Sequence, residues 1–489
     1  MGNSLPKSWI EVPFIELLEK FENGARPKGG VQGILEGIPS LGGEHLNNDG
    51  GFKLENIKYI PTEFAKKQNR GKITNNDILI VKDGATTGKV SYVKDNFPYQ
   101  LSFVNEHLFL CRTWNNLSSK YIFYFLWSKE GQNRILNNFT GSAQGGINQK
   151  FAANTNIILP PLPEQERIVA KLDALFVQHE AMKKSLERIP QLLKDFRQQV
   201  LIHAVTGKFT SNYEYQPIVQ EIISDRKEWY KKQLSHAKRK KIVEKVNEDK
   251  SFLEFYLEKK TDISFIEEVS AKKDNALKAG PFGSSLKKEF YVQKGYKIYG
   301  QEQVIKGDSK YGDYYIDEPK YKELQSCAID KGDLLISLVG TIGKTLVIPA
   351  DFEKGIINPR LLKFSFHEKI NPYYIQIYLQ SEIANKFLSK NSHGGTMDVL
   401  NMGILKKLPI PIPSTEEQQE IVNIVENLFS KADAIEKRYK TLKEKIDNLP
   451  QAILHKAFKG ELVPQLPTDG DAKDLLEEIL KLKKEVKKK

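Results

Sequence analysis

The sequence Gln165-Glu166-Arg167-Ile168-Val169 returns 253 residues later as Gln418-Gln419-Glu420-Ile421-Val422. Aligned without a gap from Gln165 to Gly207, 11 of 43 positions are identical. A chain made of two copies of one unit usually presents two copies of one binding site. The repeat therefore predicts two similar modules, each followed by the same helical element.

The repeated stretch carries apolar residues at alternating steps of four and three, the spacing of a coiled-coil seam. His179 lies on the same row, and we interpret it as a histidine tolerated in the seam rather than a metal ligand or a catalytic group. The alternative is two amphipathic helices packed on separate globular cores. The predicted seam consists of Ile168, Leu172, Leu175, Met182, Leu186, Ile189, Leu193, Ile421, Val425, Leu428, Ile435, Leu442 and Ile446.

Each helix is expected to start after a proline cluster, at 160–163 and at 409–413. Pro190 and Pro450 fall inside the heptad rows and predict a kink or a break near each. The two helices could pair parallel or antiparallel. An antiparallel pair needs only a short return of the chain, so we favour it, with the modules at opposite ends and related by an approximate two-fold axis.

The stretches before the helices also repeat, with Asn76–Val81 matching Gly332–Ser337. Short β-branched runs between Gly, Asn and Asp predict strands and turns, and the Tyr-rich segments 121–126 and 374–379 predict helices. The predicted fold class is α+β. Two similar mixed α/β domains are separated by two long helices that form an antiparallel coiled coil with pseudo-two-fold symmetry.

Composition favours a chain with an anionic partner and more than one domain. The chain has 489 residues, too many for one core, and 74 basic against 62 acidic residues give a net charge of +12. Two cysteines, Cys111 and Cys327, fit a reducing compartment. Without a signal peptide or a run of roughly 18 apolar residues, the expectation is a soluble cytoplasmic protein.

Several motifs suggest chemistry that the sequence does not complete. Gly340-Thr341-Ile342-Gly343-Lys344-Thr345 resembles the end of a phosphate-binding loop, but the full pattern needs Gly where Leu338 stands. Asn371-Pro372-Tyr373-Tyr374 is similar to an adenine methyltransferase motif, yet these residues more plausibly open a helix. The histidines and cysteines give no zinc spacing. We therefore expect no catalytic residue and no metal site.

Polar, glycine-rich loops are better candidates for contact with an anionic partner; if that partner were DNA, Gln and Asn could bond adenine edges and Lys could hold phosphates. One loop spans 141–150, its counterpart spans 392–398, and a third candidate segment follows Gly283. A solvated loop is the alternative interpretation of each. The candidate residues are Lys89, Ser142, Gln144, Asn148, Gln149, Lys150, Ser284, Ser285, Lys287, Lys288, Lys344 and Thr396.

The chain resembles the specificity subunit of type I restriction–modification systems over nearly its whole length. The residues that carry the resemblance are Leu5-Pro6-Lys7-Ser8-Trp9, Pro160–Glu166, Gly280–Ser284 and Gly460-Glu461-Leu462-Val463-Pro464. The second module lacks the Leu-Pro-x-x-Trp entry of the first and follows a highly charged segment, Ile218–Lys260.

The resemblance implies a DNA-recognition subunit that is not itself an enzyme. Each domain would recognise one half of a bipartite double-stranded DNA site, and the coiled coil would set the spacing and dock methylation subunits, two copies being expected. S-adenosylmethionine, ATP and Mg would lie on methylation and restriction subunits rather than in this chain. The implied division is target recognition domain 1 at 1–158, helical spacer 1 at 159–210, a charged, largely helical connector at 211–262, target recognition domain 2 at 263–409, helical spacer 2 at 410–462 and a basic C-terminal tail at 463–489, its last residues expected to fray.

Two other classes of function remain open at this point. The chain could be a DNA methyltransferase or nuclease in its own right, in which case it would bind S-adenosylmethionine itself or cut DNA. It could also be a structural coiled-coil scaffold with no DNA role, in which case sequence-selective binding would be absent.

Overall fold

A computed structural model describes residues 5–141, 145–233, 251–338, 344–391 and 402–486. The chain divides into two compact units. Unit 1 comprises Met1–Glu187 with Lys440–Lys489, and unit 2 comprises Arg188–Tyr439. We call residues 5–159 of unit 1 module 1, and residues 262–412 of unit 2 module 2.

The strands and helices follow one another in two similar series. The strands are β1 (Ile10–Pro13), β2 (Leu18–Asn23), β3 (Ile38–Leu41), β4 (Lys58–Ile60), β5 (Ile78–Val81), β6 (Val90–Tyr92), β7 (Phe103–Val104), β8 (Leu108–Thr113), β9 (Asn156–Leu159), β10 (Asp262–Phe265), β11 (Leu277–Ala279), β12 (Tyr291–Val292), β13 (Tyr296–Tyr299), β14 (Tyr315–Ile316), β15 (Leu334–Ser337), β16 (Thr345–Val347), β17 (Gly355–Ile357), β18 (Leu361–Phe364) and β19 (Pro409–Ile412). The helices are α1 (Thr62–Lys66), α2 (Ser119–Trp127), α3 (Lys129–Leu136), α4 (Phe151–Asn154), α5 (Leu162–Leu186), α6 (Ile189–Thr206), α7 (Val219–Gln233), α8 (Ser251–Glu254), α9 (Gln301–Lys306), α10 (Glu318–Glu323), α11 (Pro372–Gln380), α12 (Glu382–Asn391), α13 (Met402–Lys406), α14 (Thr415–Phe458) and α15 (Ala472–Val486).

The two modules share one sheet topology. An antiparallel sheet of order β2-β8-β5-β6 in module 1 corresponds to β11-β18-β15-β16 in module 2. The pair β1-β9 corresponds to β10-β19, and the parallel pair β3-β7 corresponds to β13-β17. The central strands β5 and β15 are apolar and buried along their whole length. The predicted repeat of a mixed α/β module is therefore confirmed, and β12 is an addition in module 2.

The Tyr-rich segments form α2 and α11, as predicted. Ser118 caps α2 by accepting a hydrogen bond from the Tyr121 amide, and Asn371 caps α11 by accepting one from the Tyr373 amide. Asn371 therefore starts a helix here, in agreement with the structural interpretation of the Asn-Pro-Tyr-Tyr sequence.

The repeated glutamine at the start of each long helix makes the same contacts in both units. Gln165 donates to the Pro160 carbonyl at 2.8 Å and accepts from the Ser118 amide at 3.2 Å. Gln418 donates to the Pro413 carbonyl at 2.9 Å and accepts from the Asn371 amide at 2.8 Å. This buried side chain joins the proline cluster to the cap of the neighbouring helix, which explains why it recurs.

The long helical segments run antiparallel within each unit. In unit 1, Ile168 and Leu172 of α5 share a core with Leu454 and Phe458, whereas His179 contacts the Ile446 carbonyl at 2.9 Å. Along the length of the pair, residue numbers increase on α5 and decrease on α14, so the two helices are antiparallel.

Unit 2 has the same order. Arg197 of α6 pairs with Asp433 at 2.6 Å, and further along the helix Val205 shares a core with Ile421.

The predicted seam is buried at some positions and open at others. Met182, Ile435 and Leu442 are exposed, so their assignment to a buried seam is wrong. The remaining seam residues are buried or half-buried, namely Ile168, Leu172, Leu175, Leu186, Ile189, Leu193, Ile421, Val425, Leu428 and Ile446.

The two prolines act differently. The first helix breaks where it was expected to, because α5 ends at Leu186 and α6 begins at Ile189 with Pro190 in its first turn. In contrast, α14 continues through Pro450 without a break. Pro450 has no N–H to donate to the carbonyl of Ile446, four residues earlier.

His179 supplies the hydrogen bond that Pro450 withholds. Its Nε2 lies 2.9 Å from the Ile446 oxygen, and because a carbonyl only accepts, Nε2 carries the proton. At the repeat offset of 253 residues, Ala432 replaces His179 and Arg197 replaces Pro450. Since Arg197 has an N–H, that copy of the helix pair needs no histidine.

The C-terminal segment was predicted to fray, but residues 481–486 are helical and belong to α15. Leu475 and Ile479 of α15 are buried in the core of unit 1, and Lys483 pairs with Glu16 at 2.6 Å. Arg167 holds the start of the segment through two hydrogen bonds to Asp469, at 2.6 and 2.7 Å.

The predicted connector at 211–262 contains α7 and α8 and belongs to unit 2. Ile222 of α7 is buried in the core of that unit. Within the described residues, no helix combines the length and the apolar composition needed to cross a lipid bilayer.

Candidate nucleic-acid interface

Two stretches of module 1 that the sequence singled out lie side by side. The Ile147 amide donates to the Lys82 carbonyl at 2.8 Å, and the Gly84 amide donates to the Gly145 carbonyl at 3.4 Å. The turn between β5 and β6 therefore packs on the loop that precedes α4. The predicted contact residues Asn148, Gln149 and Lys150 are all exposed on this loop, whereas Ser142 and Gln144 lie outside the described residues.

Lys89, the predicted phosphate contact at the end of the same turn, is half-buried. Its ammonium donates to the Leu46 carbonyl at 3.2 Å. The side chain therefore braces the turn, and a phosphate would have to compete with this carbonyl.

The candidates in module 2 occupy two places. Ser284, Lys287 and Lys288 are exposed and Ser285 is half-buried in the segment after β11, where Lys287 lies 3.6 Å from Glu289. Lys344 is exposed in front of β16. Thr396 lies outside the described residues.

Lys344 lines an open groove together with Lys306 and Lys310. Lys310 is paired with Asp351 at 2.6 Å, and Lys306 lies 5.3 Å from the Tyr311 ring. Asp308 and Asp351 also line the groove, so Lys344 and Lys306 are its candidates for contact with a phosphate backbone.

The two modules share a turn that the sequence reasoning missed. It joins β7 to β8 at Asn105–His107 and joins β17 to β18 at Asn358–Arg360. The Asn105 and Asn358 amides each donate at 2.8 Å to the last residue of β3 or β13. Each asparagine side chain also accepts at 2.9 Å from the amide two residues later. The signal was available, because the asparagines lie at the repeat offset of 253 residues.

Glycine allows the neighbouring strand to approach this turn. A Cβ at Gly24 would lie 1.7 Å from the Val104 oxygen, and a Cβ at Gly280 would lie 1.9 Å from the Asn358 oxygen. No side chain fits at either distance. The same backbone constraint therefore fixes the turn in both modules.

The side chains on the shared turn differ between the modules. In module 1, His107 Nδ1 lies 2.5 Å from Asp83, and Glu106 lies 3.5 Å from both His107 and Arg26. The exposed face of this turn thus combines carboxylates with basic groups.

Module 2 carries Arg360 and amide and hydroxyl groups at the same place. The Arg360 guanidinium donates to Gln301 Oε1 at 3.4 Å, and Gln301 Nε2 donates to Ser337 Oγ at 2.7 Å. A constant backbone with divergent exposed side chains is what two recognition surfaces of different specificity require.

A buried polar cluster in module 2 has shifted pKa values but a structural role. Burial raises the pKa of the Asp333 carboxyl and lowers the pKa of the Lys363 ammonium. Asp333 is only 2% exposed, accepts from Ser365 at 2.5 Å and caps the Asp330 amide at 2.9 Å. Asp77 caps the Thr74 amide in the same way in module 1. These acids hold the turn before the central strand, away from any exposed surface.

One group in unit 2 has the ligand types of a metal site. Ligand atoms of Asp225, His367 and Glu368 lie within 4.8 Å of one another. However, the Lys272 ammonium lies 2.7 Å from Asp225 and 3.8 Å from Glu368, and His367 Nε2 lies 3.0 Å from Asp225. Hydrogen bonds from Lys272 and then His367 lower the pKa of Asp225. The Lys272 ammonium already pairs with both carboxylates, so the geometry does not call for a metal ion.

Three of the four motifs behind the family resemblance converge in unit 1. Trp9 Nε1 donates to Glu164 Oε2 at 2.8 Å, and Gln465 Nε2 donates to Glu164 Oε1 at 2.9 Å. Arg167 donates to the Pro464 carbonyl at 3.1 Å. Three separated motifs thus meet around one buried glutamate at the start of α5.

A doubled frame with divergent exposed turns is typical of a protein that recognises two different target segments. Residues 6–191 and again residues 259–444 match the family model described as the type I restriction modification DNA specificity domain. The chain belongs to this family. Two such domains in one chain fit the recognition of a DNA site in two parts.

Relatives are type I restriction enzyme specificity subunits. The EcoKI specificity subunit of Escherichia coli K12 is 26% identical over 476 residues, covering 95% of this chain and 91% of that protein. The EcoBI specificity subunit of Escherichia coli is 30% identical over 319 residues, covering 65% of this chain and 61% of that protein. The second match therefore spans less than two thirds of either chain.

Solved structures of low sequence identity share the fold. The HsdS subunit from Thermoanaerobacter tengcongensis has 18% identity and a TM-score of 0.56, covering 94% of this chain and 98% of that chain. A chain from a structure concerned with complex assembly and conformational transition of the type I R-M system has 18% identity and a TM-score of 0.61, covering 94% and 99%.

Proposed function

We propose that this chain is the non-catalytic subunit that gives a type I restriction–modification complex its DNA sequence specificity. Module 1 recognises one half of a bipartite double-stranded DNA site, and module 2 recognises the other half. The observation that carries the proposal is the pair of specificity domains, each with the same turn and different exposed side chains.

The helical segments have two further roles in this proposal. They set the gap between the half-sites as an antiparallel coiled coil, and they dock the methylation subunits, of which two copies are expected. Support comes from the antiparallel contacts within each unit and from α14, a 44-residue helix whose residues belong to both units.

The chemistry of modification and cleavage belongs to other subunits. Methylation subunits would bind S-adenosylmethionine, and restriction subunits would use ATP and Mg. Within this chain, the described acids with shifted pKa values brace turns or form ion pairs, which agrees with a recognition role. The complex would act on cytoplasmic DNA.

Exchange of one module tests the proposal. Residues 14–155 are replaced by the corresponding segment of the EcoKI specificity subunit, which leaves the β1–β9 pair in place. Methylated positions are then mapped in DNA from cells that express the chimaera with its methylation subunits. We expect a new sequence in one half-site and an unchanged sequence in the other.

The unmodified chain with the same partners is the control. A change in both half-sites would show that the modules do not recognise DNA independently. Methylation without any sequence preference in the control would refute the assignment itself.

A further inference from the structure

We propose that the shared turn carries the base-contacting side chains, with Arg360 as the guanine contact of module 2 and His107 and its carboxylate neighbours as the counterpart in module 1. This inference rests on the proposed function. It names which residues set each half-site.

The first step of the argument is position. Arg360 and His107 occupy the same place on a backbone turn held by the same asparagine bonds in both modules. The turn joins two strands, so the Cα positions are fixed by sheets rather than by a loose loop. Groups on rigid elements are placed accurately enough for base recognition.

The second step is the state of Arg360. Its side chain is exposed, and one of its nitrogens donates to the uncharged Gln301 oxygen. Among the residues that the structure describes, no carboxylate lies within ion-pair distance of it. An exposed arginine without a carboxylate contributes little to stability.

The hydrogen bond that the guanidinium donates to Gln301 orients it and occupies only one of its nitrogens. Gln301 is in turn held by Ser337 at the end of β15, at 2.7 Å. An oriented guanidinium fork matches the O6 and N7 acceptors of guanine in the major groove. Ser337 and Gln301 thus hold the Arg360 guanidinium in place for contact with a base.

The third step is the surroundings of the turn. Phe282, two residues after the closely packed Gly280, is 85% exposed. An exposed phenylalanine in the segment that follows Gly280, which itself packs on the Asn358 backbone, suits apolar contact with a thymine methyl group or a base step. Lys344 and its groove supply cations for the phosphates.

At the same turn, module 1 presents carboxylates and a histidine instead of an arginine. Asp83 and Glu106 flank His107, and carboxylates accept hydrogen bonds from the amino group of cytosine. The two halves of the site should therefore differ in base composition at the positions that these turns contact.

Two variants of the full chain, assembled with its methylation subunits, test Arg360. Binding is measured for duplexes that carry each base pair at every position of the module 2 half-site. Arg360→Ala should reduce discrimination for a G·C pair at one position by roughly 5- to 150-fold. Arg360→Lys should lose most of the same discrimination although it keeps the charge, because lysine lacks the planar fork.

Lys344→Ala is the matched control. As a phosphate contact it should weaken binding to all sequences by a similar factor and leave the base preference unchanged. His107→Ala should alter only the other half-site.

Unchanged discrimination in both Arg360 variants, with the bipartite preference of the parent complex intact, overturns the assignment and leaves the proposed function standing. A parent complex without bipartite preference overturns the proposed function. Thermal melting identifies any variant that fails to fold, and the exposed Arg360→Lys change keeps the test valid if the alanine variant unfolds.

Discussion

The pairing of His179 with Pro450 makes a quantitative prediction about the helix pair in unit 1. The carbonyl of Ile446 lacks its usual intrahelical donor, and the imidazole, 7% exposed, donates to it at 2.9 Å. Replacing His179 with Leu removes that donor while it keeps most of the volume. A buried carbonyl left unsatisfied costs about 1–3 kcal/mol.

The variant Pro450→Ala changes this balance, because an alanine N–H can donate to Ile446 within the helix. His179→Leu should therefore cost less in the Pro450→Ala background than in the parent chain. The expected coupling free energy is about 1–2 kcal/mol, above the roughly 0.3–0.5 kcal/mol within which independent sites add.

Native-state hydrogen exchange of peptides from α5 and residues 440–458 measures this coupling locally, which suits a chain of two units. A coupling of that size changes the exchange rate of these peptides by roughly 5- to 30-fold. Met182→Ala, at an exposed position of the same helix, is the control and should add independently to Pro450→Ala. If His179→Leu accelerates exchange equally in both backgrounds, the histidine does not compensate for the proline.

Two further predictions concern the helices. Residues 176–182 and 443–449 face one another around His179 and Ile446, and removing both takes away about 10 Å of helix. Pro450→Ala is included in this variant because the deletion also removes His179, and the mapped gap between half-sites should then shorten by about three base pairs. An unchanged gap would contradict the spacing role. Asp469→Asn should undock α15 and raise hydrogen exchange across 472–486, because Arg167 loses a two-point bond, and unaltered exchange would show that the bond is dispensable. Hydrogen bonding from Arg167 lowers the pKa of Asp469, so this contribution is present above the ordinary aspartate pKa and is lost as the pH falls through the lowered value. The protection factors of α15 amides in the parent chain, which are corrected for the intrinsic exchange rate at each pH, should therefore fall in acid.

The sequence by itself determined the repeat, the class of module and the start of each long helix. These properties depend on local patterns, namely residue periodicity, proline placement and capping side chains, which leave a direct record in the chain. Gln165 and Gln418 show this well, because their recurrence at one offset corresponds to one set of contacts made twice. The antiparallel order also followed from the sequence, since a parallel pair needs a longer return of the chain.

Only the tertiary structure decided which faces of the helices are covered. Met182, Ile435 and Leu442 satisfy the heptad spacing yet are exposed, because burial depends on which neighbouring element reaches that face. Residues 472–486 were expected to be a tail for a related reason. They are rich in charged residues of both signs, but Leu475 and Ile479 form a narrow apolar stripe that is buried only where unit 1 provides a surface.

The shared turn of Asn105 and Asn358 also required the folded chain. Its residues come together through sheet pairing with β3 and β13, and nothing local in the sequence links His107 to Asp83 or Arg360 to Gln301. Contacts between residues far apart in the chain arise when strands pair, so a recognition surface of this kind is assembled by the fold.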